Sequence, residues 1–172
     1  MEFNVVSLLK EATGATREYD IEPTAVSTDE GIVMMGGHAR FDRTPRGIFV
    51  RARLEGTHDD VCSRCLKPIT LPVRIEFEEE YLQMVDVVTG APLDIEEGDE
   101  EAYRIGPNHL LDLAEAAREY WVLALPMAPL CSDDCPGLCP LCGEELSDAR
   151  HECTREQVDA RWAKLARLKL GG

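Results

Sequence analysis

The chain has 172 residues and an apolar fraction of 44%, which suits one ordinary globular domain, or one domain with a small metal-stapled appendage. Its formal net charge of −15 disfavours general affinity for nucleic acid and favours a basic partner. No stretch approaches the ~20 apolar residues that a membrane-spanning helix needs, so we expect a soluble, cytoplasmic protein with no membrane partner.

The first half of the chain has the patterns of β-structure. Near the start, FNVVSLL is either a strand or a short apolar turn of helix, which periodicity does not separate. Apolar and polar residues then alternate over 47–57, which predicts a strand with Arg51 and Arg53 on its solvent face. This basic strip is either a solvated strand face or a contact for RNA.

A CxxC motif, Cys62 and Cys65, follows this strand directly. After it, ITLPVRIEFEEEYL alternates again around Val73, Ile75 and Phe77, which predicts a second strand. The motif is therefore predicted at the tip of a β-hairpin, where structural metals are often found.

An acidic region follows, with fourteen Asp or Glu residues against two Arg over 76–119. Within it, the segment at about 86–107 has turn-forming residues at its edges and few apolar anchors, which predicts a weakly ordered acidic loop. The segment is either solvated surface without a specific function or a segment that attracts a basic protein.

Two helices are predicted in the second half. The tetrad DLAE at 112–115 has the form of a capping box and predicts a helix to about residue 125, ended by Pro126. Helical spacing places Trp121 in the core. A last helix is predicted to begin at Thr154.

Between these helices lies a segment rich in metal ligands. Residues 130–153 contain five of the seven cysteines, in the sequence LCSDDCPGLCPLCGEELSDARHEC. With the first CxxC the chain offers eight sulfur or imidazole donors in four closely spaced pairs, the number that two four-coordinate zinc ions require. We predict zinc, with two ions expected and one at minimum, and the predicted ligands are Cys62, Cys65, Cys131, Cys135, Cys139, Cys142, His151 and Cys153.

Four pairs combine into two sites in three ways. We favour a local site of Cys139, Cys142, His151 and Cys153, because it closes only a short loop. The pair at 62 and 65 would then share an ion with the pair at 131 and 135. The rival arrangements place 131, 135, 139 and 142 on one ion, or join the two CxxC motifs.

Other cysteine chemistry is disfavoured. Disulfides need an oxidising compartment, yet no secretory pattern is visible and the cysteine count is odd. A redox CxxC normally opens a helix, which Pro68 argues against. The chain lacks the phosphate-loop, GxGxxG, GxSxG and HExxH motifs, and a zinc ion with four protein ligands has no position for a reactive water, so we expect no enzymatic activity.

Several segments together resemble the YceD family, associated with accumulation of large-subunit (23S) ribosomal RNA. They are CSRCLKPI at 62–69, LALP at 123–126, LCSDDCPGLCPLCGEEL at 130–146 and DxRWxxL at 159–165. Many relatives end the second cysteine cluster with CxC, where this chain has His151 and Cys153. The resemblance implies a small assembly factor that acts in maturation of 23S ribosomal RNA or of the large subunit.

We therefore expect an α+β fold: an antiparallel β-sheet with a central helix, a zinc-stapled Cys-rich segment and a C-terminal helix. Residues 1–125 would form the core domain, and residues 126–172 would pack on it. The expected partners are the pre-ribosomal large subunit, 23S rRNA or a basic ribosomal protein, and the oligomeric state is left open. The residues predicted to contact RNA or the ribosome are Arg51, Arg53, Arg64 and Lys67.

The leading functional hypothesis is a non-enzymatic zinc-binding ribosome biogenesis factor that supports 23S rRNA accumulation or processing and large-subunit assembly. The alternative is a zinc-ribbon regulator that binds a protein such as a polymerase subunit and has no role in ribosomes. A third possibility, a thiol redox or RNA-processing enzyme, requires a reactive cysteine that zinc does not occupy.

Overall fold

The computed structural model describes residues 1–29, 31–94, 98–146 and 151. Strands predominate and are accompanied by two helices in this part of the chain, so the predicted α+β class is confirmed. The described strands and helices are, in chain order, β1 (Glu2–Asn4), α1 (Val6–Leu9), β2 (Thr16–Thr28), β3 (Gly31–Arg43), β4 (Gly47–Val61), β5 (Pro68–Gln83), β6 (Tyr103–Ile105), β7 (Leu110–Asp112) and α2 (Ala114–Ala124).

The main sheet has five strands in the order β2-β3-β4-β5-β6, and β1 pairs with β7 in a separate two-stranded sheet. Strands β2, β3 and β4 pair antiparallel, as predicted, whereas β6 joins β5 in parallel. The main sheet is therefore mixed rather than wholly antiparallel. None of the described helices is long and apolar enough to cross a membrane.

The chain divides into two compact units. The first unit comprises Met1–Asp60 and Thr70–Met127, and the second comprises Val61–Ile69 and Ala128–Gly172, of which residues 147–150 and 152–172 lie outside the description. The sequence-based division placed residues 61–69 with the core domain. In the structure they are compact with the second unit, because their cysteines meet those of the later segment.

Alternation in β4 and β5 builds the core of the first unit. Ile48 and Val50 are fully buried, and Val73 and Phe77 on the neighbouring strand are at most 6% exposed. Trp121 projects from α2 into this core, where it is 1% exposed and lies against Gly56. Both predicted strands and the core position of Trp121 are confirmed.

The start of α2 differs from the predicted capping box. Asp112 belongs to β7, where it pairs with Glu2, and Leu113 takes the cap position. The Asp112 carboxylate still accepts the N–H of Ala114 at 2.9 Å, and it also accepts the amino terminus of Met1 at 2.8 Å. Strand pairing holds Asp112 extended, so the helix begins later than the tetrad alone predicts.

The acidic segment is more structured than predicted in its described part. The Asp86 carboxylate accepts the N–H groups of Val88 and Thr89 at 2.9 and 2.7 Å, which closes a turn. Farther along, β6 adds to the main sheet, although its three residues are too few to show a period. Residues 95–97 and the helix predicted from Thr154 lie outside the described residues.

Candidate metal centre

The first CxxC motif and the CxxxC motif meet in the second unit. The Sγ atoms of Cys62 and Cys135 lie 3.7 Å apart, as do those of Cys65 and Cys131, and all four lie within 4.8 Å of one another. A disulfide would need a separation of about 2.05 Å. Zinc–sulfur bonds of about 2.3 Å separate tetrahedral sulfur ligands by about 3.8 Å. The four thiols are therefore spaced to hold a metal ion.

The backbone around Cys62 forms a tight turn that aims both thiols of the motif to one side. The Cys62 N–H donates to the carbonyl of Lys67 at 2.8 Å, and the Leu66 N–H donates back to the carbonyl of Cys62 at 2.9 Å. Leu66 adopts a φ of 59°, in the left-handed region that side chains other than glycine rarely occupy. We call this turn, residues 62–67, the first knuckle.

Residues 139–144 repeat the same turn, and we call them the second knuckle. The Cys139 N–H donates to the carbonyl of Glu144 at 2.7 Å, and the Gly143 N–H donates to the carbonyl of Cys139 at 2.9 Å. Gly143 has a φ of 78° and occupies the place that Leu66 has in the first knuckle. The two CxxC motifs thus share one conformation, which the sequence shows only through the glycine of the second.

This repetition predicts that Leu66→Gly will leave zinc affinity at the first knuckle unchanged or raise it. Glycine removes a left-handed strain of about 1–2 kcal/mol, and Leu66 is 62% exposed, so little apolar burial is lost. In the matched change, Gly143→Leu should weaken metal binding at the second knuckle. Zinc affinity measured against a competing chelator tests both, and a large loss in Leu66→Gly would show that the leucine side chain itself is needed.

The second candidate site is formed by the second knuckle and His151. The donor atoms of Cys139, Cys142 and His151 lie within 4.8 Å of one another, and Cys142 Sγ is 3.6 Å from His151 Nε2. Zinc–sulfur and zinc–nitrogen bonds of about 2.3 and 2.05 Å at a tetrahedral angle give nearly this separation. Cys153, the predicted fourth ligand, lies outside the described residues. The described donors are grouped as in the favoured pairing and not as in either rival.

A carboxylate orients the imidazole of this site. Glu144 Oε2 lies 3.2 Å from His151 Nδ1, which leaves Nε2 directed at the thiol of Cys142. Histidine ligands of metals commonly bind a carboxylate or carbonyl through the other ring nitrogen in this way. Sequence reasoning identified His151 but not Glu144, because nothing in the spacing distinguishes it from other acidic residues.

The thiol electrostatics also fit a divalent cation. A hydrogen bond from the backbone N–H of Cys65 lowers the pKa of Cys62 to about 6, and the backbone N–H of Leu141 does the same for Cys139. Burial instead raises the pKa of Cys135, which is 4% exposed. Several thiolates cannot ionise side by side without a countercharge, and a bound divalent ion removes that repulsion.

Two of the predicted contact residues stabilise the second unit internally. Arg64 donates from Nη1 to the carbonyl of Cys135 at 3.0 Å and to that of Asp133 at 3.3 Å. Lys67 Nζ lies 2.6 Å from Glu145 Oε1. Both cations therefore have partners within the cysteine-rich unit.

The other two predicted contact residues, Arg51 and Arg53, lie on the open face of the main sheet, as predicted. Arg51 pairs with Asp42 at 2.5 Å and with Glu78 at 3.4 Å, and Arg53 pairs with Glu76 at 3.4 Å. Cross-strand carboxylates thus balance the basic strip. The alternation of EFEEE in β5 indicates these ion pairs, because it places Glu76 and Glu78 on the same face as the arginines.

Comparisons with known proteins add a family and distant relatives. The family model described as large ribosomal RNA subunit accumulation protein YceD matches residues 50–169. Uncharacterized proteins of Mycobacterium bovis and Mycobacterium tuberculosis are 29% identical over 144 residues, which is 83% of this chain and 65% of theirs. This chain therefore spans less than two thirds of their length. No solved structure matches it.

Proposed function

This chain belongs to the YceD family of large ribosomal RNA subunit accumulation proteins, and from that membership we propose that it is a non-enzymatic, zinc-binding factor of ribosome biogenesis. Its role would be to support accumulation or processing of 23S rRNA and assembly of the large subunit in the cytoplasm. The observation that carries the proposal is the family match over residues 50–169, which includes all eight predicted ligands.

Zinc is the metal that best suits the donors. Four sulfur ligands, or sulfur with imidazole, in a tetrahedral arrangement are typical of structural zinc. The first ion would be held by Cys62, Cys65, Cys131 and Cys135. The second would be held by Cys139, Cys142 and His151, with Cys153 as the proposed fourth ligand. A bound zinc ion supplies a cross-link between distant parts of the chain.

This ligand count supports the proposed lack of enzymatic activity, because it leaves neither zinc ion open for catalysis. A catalytic zinc keeps one coordination position open for water or substrate, whereas four protein ligands close the site. The competing proposal of a thiol enzyme requires a cysteine that zinc leaves reactive. Rapid alkylation of the zinc-loaded protein by iodoacetamide would support an enzyme and count against a scaffold.

For the direct partner, we propose a basic ribosomal protein on the pre-ribosomal large subunit. Residues 76–119 carry fourteen acidic side chains against two arginines in the sequence, a charge balance that favours a basic protein. RNA contact through Arg51, Arg53, Arg64 and Lys67 remains the second possibility. It requires phosphates to replace the carboxylate and carbonyl partners that these side chains have in the structure.

We expect the tagged full chain to co-migrate with large-subunit precursors in a sucrose gradient, and its depletion to lower 23S rRNA relative to 16S rRNA. Raised salt should release it, because exposed charges are screened. A tagged Trp121→Ala variant, whose first unit is expected to be destabilised, shows how far co-migration depends on the folded protein. Sedimentation only at the top of the gradient, with unchanged 23S rRNA, would contradict the proposal, and capture of a polymerase subunit instead would favour the regulator.

A further inference from the structure

We propose that the two metal sites are coupled, so that an ion at the first site (Cys62, Cys65, Cys131 and Cys135) is needed for full affinity at the second site (Cys139, Cys142 and His151). This inference deepens the proposed function and rests on its claim that both sites bind metal. It concerns how the sites load, which neither their spacing nor the family match addresses.

The first step of the argument is the short connection between the sites. Cys135 is the last ligand of the first site and Cys139 is the first ligand of the second, with three residues between them. Gly137 has a φ of 80°, and a side-chain Cβ there would lie 3.2 Å from the carbonyl oxygen of Arg64. The connection thus lies directly against the first knuckle, which carries two ligands of the first site.

The second step is apolar packing from the base of the second knuckle. Leu138 packs against the buried cluster of Cys62, Cys65 and Cys135, together with Ile69 and Leu130. The same leucine forms a β-bridge with Glu145, and the Leu146 N–H donates to the carbonyl of Gly137 at 3.0 Å. The two ends of the second knuckle therefore join on a surface that the first-site cysteines provide.

The third step is an ion pair that connects the knuckles. Lys67, whose carbonyl closes the first knuckle, reaches Glu145 at 2.6 Å. Glu145 follows directly on Glu144, which closes the second knuckle and contacts His151. A metal ion that fixes the first knuckle would therefore also position the second knuckle, through Lys67 and Leu138.

The sites also differ in burial, and this difference suggests which site supports the other. Three of the four first-site cysteines are at most 6% exposed and only Cys131 is exposed, whereas Cys139 is the one buried donor among the described ligands of the second site. Both sites lie in the second unit, and the first is the more enclosed of the two. By linkage, an ion at the second site must strengthen the first by the same factor.

The test uses the zinc-free full chain titrated with ¹¹³Cd²⁺ in the presence of a competing chelator, with each site followed by its own NMR resonance. An all-sulfur site and a site containing imidazole give separate signals. In Cys62→Ser/Cys65→Ser we expect the affinity of the second site to fall about tenfold or more, within the usual range of coupling between sites. Far-UV circular dichroism checks that the sheet of the first unit persists.

Two variants that keep every metal ligand protect the test from a simple folding defect. We expect Lys67→Ala and Leu138→Ala each to lower the second-site affinity about threefold or more while the first site still fills. Arg74→Ala, which removes an exposed ion pair with Glu55 in the first unit, is the matched control and should change neither site. Second-site affinity within twofold of the unmodified chain in all of these variants would overturn the coupling alone. Failure of either site to bind cadmium or zinc would instead overturn the proposed metal binding.

Discussion

Cys135→Ser should remove the first metal ion and disorder residues 61–69 and 128–138, the part of the second unit around the first site. Cys135 is 4% exposed and its thiol lies 3.7 Å from that of Cys62, so no water or neighbouring side chain can replace the thiol without rearrangement. A structural zinc site contributes about 10 kcal/mol or more to folding, which is comparable to the whole stability of an ordinary domain. Elemental analysis and hydrogen exchange measure the two effects.

Ser132→Ala is the matched control, because it changes an exposed side chain in the same loop and leaves every ligand in place. It should keep the metal content and the exchange protection of the unmodified chain. Cys139→Ser gives an intermediate case, in which the second ion is lost and the first remains. Unchanged metal content in Cys135→Ser would show that the four thiols do not share an ion.

Trp121→Ala should destabilise the first unit by about 3–5 kcal/mol, the usual cost of truncating a buried aromatic side chain. Trp121 is 1% exposed, and its six-membered ring lies against Gly56, so the helix cannot close over the space left behind without moving the sheet. Urea denaturation of the zinc-loaded chain, followed by far-UV circular dichroism, gives the change in free energy of unfolding.

Leu123→Ala, two residues away on the same helix, serves as the control. Its side chain is 80% exposed, so the same kind of truncation should change stability by no more than about 0.5 kcal/mol. Both variants should keep their bound metal, since the ligands lie in the other unit. Equal losses of stability in the two variants would mean that α2 does not pack by the face that buries Trp121.

The sequence predicts best where one physical rule acts alone. Alternation over β4 and β5 identifies both strands, because only burial of one face decides which residues are apolar. Short loop closure favours the grouping of Cys139 with Cys142 and His151 and leaves Cys135 for the first CxxC motif, and the described donors lie in these two groups. In both cases a single local rule favours one arrangement over its rivals.

Prediction fails where distant residues compete for the same group. The DLAE tetrad predicts a cap at Asp112, but β1 pairs with that residue and the amino terminus takes the same carboxylate oxygen. The sequence also does not reveal the partners that Arg64 and Lys67 have within the second unit. Their partners, the Cys135 carbonyl and Glu145, come close only when the two halves of the second unit meet.

The central claim is that cysteines far apart in sequence share divalent ions and thereby organise the second unit. Native mass spectrometry of the full chain, purified without chelators, tests it most directly. We predict two zinc ions per chain, with thiols that resist alkylation until a chelator is added. A folded chain that carries no metal and whose cysteines at 62, 65, 131 and 135 are alkylated at once would contradict the claim.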